Sequence, residues 1–159
     1  MRHAALGVGT GLGLTVAFLA CAHTPAQQPA PDLQRAAKLQ EILERWSNIQ
    51  NWRHQAKLKV DPLPASIIAT RGQTVKEARR VCADGHEVPK TCADVCAIGD
   101  DICDNAERIC VLAGELGKDD VLAQEKCASA KASCREAQQE CCRCSTASVT
   151  SPDGGQLLP

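Results

Sequence analysis

Seven-residue cysteine spacing constrains this chain more than any other feature. Cys96, Cys103 and Cys110 recur every seven residues, and so do Cys127, Cys134 and Cys141. Two helical turns return the chain to nearly the same angle, so each triplet forms one stripe along a helix. Between the triplets lies Gly117-Lys118-Asp119-Asp120, a glycine to stop one helix and an aspartate to cap the next. The pattern predicts an antiparallel hairpin of two helices, 91–116 and 120–144. Residues that face each other across such a hairpin have numbers with a constant sum. Cys110 with Cys127, Cys103 with Cys134, and Cys96 with Cys141 share one sum.

The positions between the stripes sharpen the register. Gly99, Ala106 and Ala113 lie between the cysteines of the first helix, and Ala123, Ala130 and Ala137 between those of the second. A disulfide needs Cα atoms about 4.4–6.8 Å apart, whereas ordinary helix pairs sit about 8–10 Å axis to axis. Small residues let the helices close to bridging distance. These layers share a sum one lower than the cysteine layers, and Cys92 with Cys144 fits it. Cys141 and Cys142 are neighbours, so on a helix they point about 100° apart and cannot both face the seam. Cys142 is therefore assigned to Cys82, pinning a short helix across the open end. At this end the swapped pairing, Cys82 with Cys144 and Cys92 with Cys142, stays open.

The bridges answer a deficit elsewhere. The chain has no Tyr, one Phe and two Trp among 159 residues, and large rings supply much of a small domain's buried area. Small or weak cores are commonly reinforced by covalent staples. Each bridge would contribute about 3 kcal/mol through the unfolded state, although nested loops do not add simply.

Upstream, a helix is expected over 32–57, with Asp32 as its N-cap after Pro31. Leu39, Ile42, Trp46 and Ile49 give it an apolar face at 3-4-3 spacing. Residues 61–72 read as irregular. Thr74 and Glu77 form a capping-box pattern for a short helix reaching Cys82, after which Gly85 and Pro89 break the chain. The hairpin carries an apolar strip of its own: Val95, Ile98, Ile102, Ile109, Leu112 and Leu116. The 32–57 helix is expected to cover it; left bare, it would be a docking surface for another protein. The fold class is thus all-α: a hairpin stapled by a disulfide ladder, with one longer and one short helix packed on it.

The N-terminus reads as an export signal over residues 1–20. Arg2 and His3 precede an uncharged run, Ala4–Ala20, that ends in small residues. Four glycines and a length slightly under the ~20 residues of a span argue against a stable membrane helix. Phe18-Leu19-Ala20-Cys21 resembles the lipobox of bacterial lipoproteins, with Phe18 where Leu is usual. The resemblance implies lipidation of Cys21, which becomes the first mature residue. Ordinary cleavage after Ala20-Cys21-Ala22 and an uncleaved anchor are the rival readings. Cysteine parity favours lipidation: removing Cys21 from eleven leaves ten that can pair completely. Residues 21–31 read as a flexible Pro/Gln/Ala tether, 32–144 as a small disulfide-rich helical domain, and 145–159 as a disordered tail.

The stretch Cys92–Cys144, CADVCAIGDDICDNAERIC…KCASAKASCREAQQECCRC, resembles a group of uncharacterised Cys-rich helical bacterial lipoproteins. That resemblance implies a lipid-anchored envelope protein, on the periplasmic face or cell surface, and carries no activity.

Function is less legible. The charge balance of 18 Lys+Arg against 19 Asp+Glu argues against nucleic-acid binding. No phosphate loop, nucleophile elbow or zinc signature is present, so no catalytic, cofactor-binding or metal residue is assigned. The expected role is a non-enzymatic envelope module, tethered to a membrane through its lipid and able to meet another envelope protein. One alternative is Cu(I) or other metal sequestration by thiolates, prompted by cysteines lining helices and resembling the four-helix copper-storage proteins. A second is a thiol-disulfide protein using Cys141-Cys142-Arg143-Cys144, although a helix C-terminus opposes a thiolate. His54 reads as a solvated surface residue, and Asp100-Asp101 and Asp119-Asp120 as a solvated face or caps.

Overall fold

A computed structural model describes residues 31–83 and 87–149, with side chains up to Cys144. The export signal, Cys21 with most of the tether, Gly85, and the tail beyond residue 149 lie outside the described residues. Within them the chain is helical: α1 (Pro31–Gln55), α2 (Pro64–Ala69), α3 (Val75–Arg79), a 3₁₀ turn at Lys90–Cys92, α4 (Ala93–Leu116) and α5 (Val121–Val149).

Helices α4 and α5 form the predicted hairpin. Gly117, at φ 91°, stops α4, its amide donating to the Ala113 and Gly114 carbonyls, and a left-handed residue there suits glycine. Asp120 caps α5 by accepting from the Ala123 amide at 3.2 Å. Gln124 then reaches back to the Ala113 and Gly117 carbonyls at 2.9 and 3.0 Å, satisfying acceptors that the end of α4 leaves free.

Helix α1 lies along the hairpin, parallel to α5 and antiparallel to α4. Arg35 meets Asp120, Glu41 meets Arg108, Arg45 meets Asn105, and Arg53 meets Glu136. Its buried Ile42, Trp46 and Ile49 pack with Ile102, Ile109 and Leu112 of α4 and the alanines of the seam. The apolar strip on α4 is therefore largely interior, and the docking-surface reading of its central residues is set aside. Lys126 lies over the Trp46 ring, 5.1 Å from its centre, adding a cation–π contact.

Three boundaries of the long helices α1 and α5 differ from expectation. Asp32 is inside the first turn of α1 rather than capping it, because Pro31 with its fixed φ occupies the start; the carboxylate still meets the positive end of the helix. At the other end α1 stops at Gln55. Lys57 takes φ 59°, the Leu58 amide bonds the Arg53 carbonyl and the Lys57 amide that of His54. That bond pair is a Schellman motif with lysine where glycine is usual. Helix α5 runs on to Val149, so residues 145–149 are helical, not part of a disordered tail.

Residues 64–69, read as irregular, form α2. Pro64 presets its first position, and the Leu63 amide is satisfied by Glu136 Oε1 at 3.0 Å rather than by a local cap, so no capping signature marks it. Helix α3 has the predicted capping box: Thr74 Oγ1 accepts from the Glu77 amide at 3.2 Å, and the Thr74 amide donates to Glu77 Oε2. It is shorter than expected, ending at Arg79. Helices α2 and α3 pack on hairpin surface that α1 leaves open.

Candidate functional site

The disulfide ladder is built by the seam of α4 and α5. Cys103–Cys134 and Cys110–Cys127 hold Cα atoms 4.5 and 4.7 Å apart, and Cys96–Cys141 holds 4.7 Å. Each sits at the short end of the bridging range, and the layers between them explain how. Ala106, Ala123 and Ala130 are fully buried, and Ala113 and Ala137 nearly so. A Cβ on Gly99 would come 3.4 Å from Gln138 Nε2 and 3.5 Å from the Ala137 carbonyl. Backbones approach this closely only where side chains end at Cβ or earlier.

The open end carries the remaining two bridges. Cys92 pairs with Cys144 at a Cα separation of 5.9 Å, and Cys82 with Cys142 at 5.4 Å. This is the first of the two pairings left open by the sequence. The Cys82 bridge ties the segment after α3 to α5, while Cys92, Cys96 and Cys141 form a second small core with Val95 and Cys144. Five disulfides in so small a domain belong to an oxidising, extracytoplasmic environment.

Burial varies along the ladder. Cys103 and Cys134 are sealed, whereas Cys82, Cys110, Cys127, Cys142 and Cys144 are half-buried. Cys141 and Cys144 are bonded to Cys96 and Cys92, not to each other. Since α5 continues past them to Val149, this C-x-x-C segment is not at a helix end, contrary to expectation.

Beside Cys144 opens a groove of about 660 Å³. It exists because α1 ends early: the turn at Ala56 and Lys57 leaves Val95 and Ile98 partly uncovered. Asp94, Glu140, Lys57 and Arg143 contribute charges of both signs, and Arg143 is paired with Glu140 at 2.6 Å. Val95 and Ile98 form its floor beneath side chains of both charges.

Two charged clusters were not legible in the sequence. Arg53 is fully buried; its Nη2 donates to Glu136 Oε2 at 2.7 Å and its Nε to the Lys59 and Val60 carbonyls at 2.8 and 3.1 Å. It thereby locks the α1–α2 connection onto α5. Glu41 accepts from both Arg108 and Arg45 at 2.9 Å. The Arg108 hydrogen bond, then that from Arg45, lowers its pKa from 4.5 to about 2.

The remaining residues singled out by sequence take structural places. His54 is exposed on α1. Asp100 accepts from Gln138 Nε2 at 2.9 Å, Asp101 and Asp119 are exposed, and Asp120 caps α5. Among the described residues no group of three or more His, Cys, Asp or Glu side chains is disposed to hold a metal ion. No described helix is long and apolar enough to cross a membrane. No known protein family, curated protein or solved structure matches this chain.

Proposed function

We propose that this chain is an exported, lipid-anchored, non-enzymatic envelope protein, a rigid structural or protein-interaction module held at a membrane surface through Cys21. The observation that carries this reading is the complete pairing of the ten cysteines between Cys82 and Cys144. Cys21 is then the odd one among eleven, in the sequence position where a lipobox cysteine is acylated. Thiolate-based metal storage needs free thiolates, which cysteines paired in disulfides do not offer. On this reading the groove beside Cys144 is the surface offered to a protein partner.

Metabolic labelling with a palmitate analogue tests the anchor. Full-length protein expressed in a bacterial host should carry the label and sediment with membranes. Cys21→Ser should lose both while keeping the domain's disulfides. An unlabelled protein whose N-terminus is Ala22 or His23 would refute it.

A further inference from the structure

The closed end of the bundle, where α4 turns into α5, bears apolar side chains that are exposed among the described residues. Val121 is 67% exposed and Leu122 40%, both in the first turn of α5; Leu33, in the first turn of α1, is 64% exposed. The Arg35–Asp120 ion pair at 2.7 Å and Lys38–Glu115 at 3.0 Å hold the start of α1 against this turn, so all three lie at one end. These pairs engage Arg35 and Lys38, while the turn itself exposes one charge of each sign, Lys118 and Asp119, so the end is not basic on balance.

Pro31, the first described residue, lies at that same end. Ten residue steps separate Cys21 from Pro31, and a Pro-rich extended segment covers about 3.1 Å per residue, so its reach is ~31 Å. Helix α4, with 24 residues, is ~36 Å long. With the bundle upright, a lipid on Cys21 keeps the closed end within reach of the bilayer and holds the groove beside Cys144 beyond it.

We infer that Leu33, Val121 and Leu122 form a membrane-contact surface, seated in the interfacial layer of the bilayer that holds the lipid on Cys21. This rests on the anchor reading above. The anchoring side chains are apolar and the exposed Lys118 and Asp119 of the turn offset each other, so the contact depends little on anionic lipid or salt. It orients the module with its closed end down and its open end outward.

The test uses the full acylated chain reconstituted in vesicles of brominated phosphatidylcholine, with one added tryptophan as probe. Leu122→Trp, with Leu33→Trp as a second probe, reports the closed end. Val60→Trp, 46% exposed on the α1–α2 connection beside the Arg53 anchor, reports the far end. Trp46 and Trp52 give a common background. The expected result is at least twofold stronger quenching of either closed-end probe than of Val60→Trp, unchanged by salt. Acylated protein with equal or no quenching at the two ends overturns the contact and leaves the anchor standing. Protein without acyl label, checked in the same preparation, overturns the anchor and this inference together.

Discussion

Arg53 shows how much one residue can organise here. It carries a charge into the interior, where desolvation is costly unless the partner geometry is good. Glu136 supplies the counter-charge, and the Lys59 and Val60 carbonyls take further hydrogens. Glu136→Ala leaves Arg53 buried without its partner and should cost about 3–5 kcal/mol, read as a lower urea midpoint. Arg53→Met with Glu136→Leu should recover only part, because the carbonyls that Arg53 served stay unsatisfied. Lys57 is the opposite case, a residue held where its side chain is a liability. At φ 59° a non-glycine residue is strained by about 1–2 kcal/mol, offset in part by glycine's greater unfolded entropy. Lys57→Gly should therefore stabilise the protein by up to about 1 kcal/mol, measured by the same denaturation.

At the scale of elements, the seam of α4 and α5 is set by what is missing as much as by what is present. The bridges hold the helices closer than ordinary packing, which requires that the layers between them stay small. Ala130→Leu, at a fully buried position between two bridges, should cost at least the ~1–3 kcal/mol of an overpacked core. It should also leave free thiols among Cys103, Cys134, Cys110 and Cys127 after refolding, counted by alkylation. This register was legible in the sequence because both cysteine and alanine layers repeat with helical period. The start of α5 and the capping box of α3 were legible for the same local reason: caps are read within four residues. Helix α2 was not, since its first amide is satisfied by Glu136, 73 residues away. The end of α1 was missed because the residue turning the chain is Lys57, where the pattern leads one to look for glycine. The groove follows from that early stop and was hidden with it.

Across the whole molecule, α1 is fastened to the hairpin by ion pairs along its length and by a narrow apolar core. Glu41, shared between Arg45 and Arg108, makes this joint sensitive to acid. Its pKa is lowered to about 2, so its contribution to stability is fully present above the unfolded value near 4.5 and lost as pH falls through about 2. Because the group is partly exposed, solvent keeps that contribution small. Carbon-detected NMR titration should place the Glu41 midpoint near 2, and Glu41→Gln should flatten the loss of stability between pH 4.5 and 2. The ladder, by contrast, is indifferent to acid and makes the hairpin a rigid rod whose sulfurs are all committed. That commitment ties the fold to its compartment, and peptide mapping of unreduced protein isolated from membranes tests it most directly. After alkylation without reductant, the account predicts five linked peptide pairs, Cys82–Cys142, Cys92–Cys144, Cys96–Cys141, Cys103–Cys134 and Cys110–Cys127, with no alkylated cysteine and an acylated Cys21. Alkylated thiols among those ten cysteines, or sulfurs recovered with bound copper instead of paired, would contradict it.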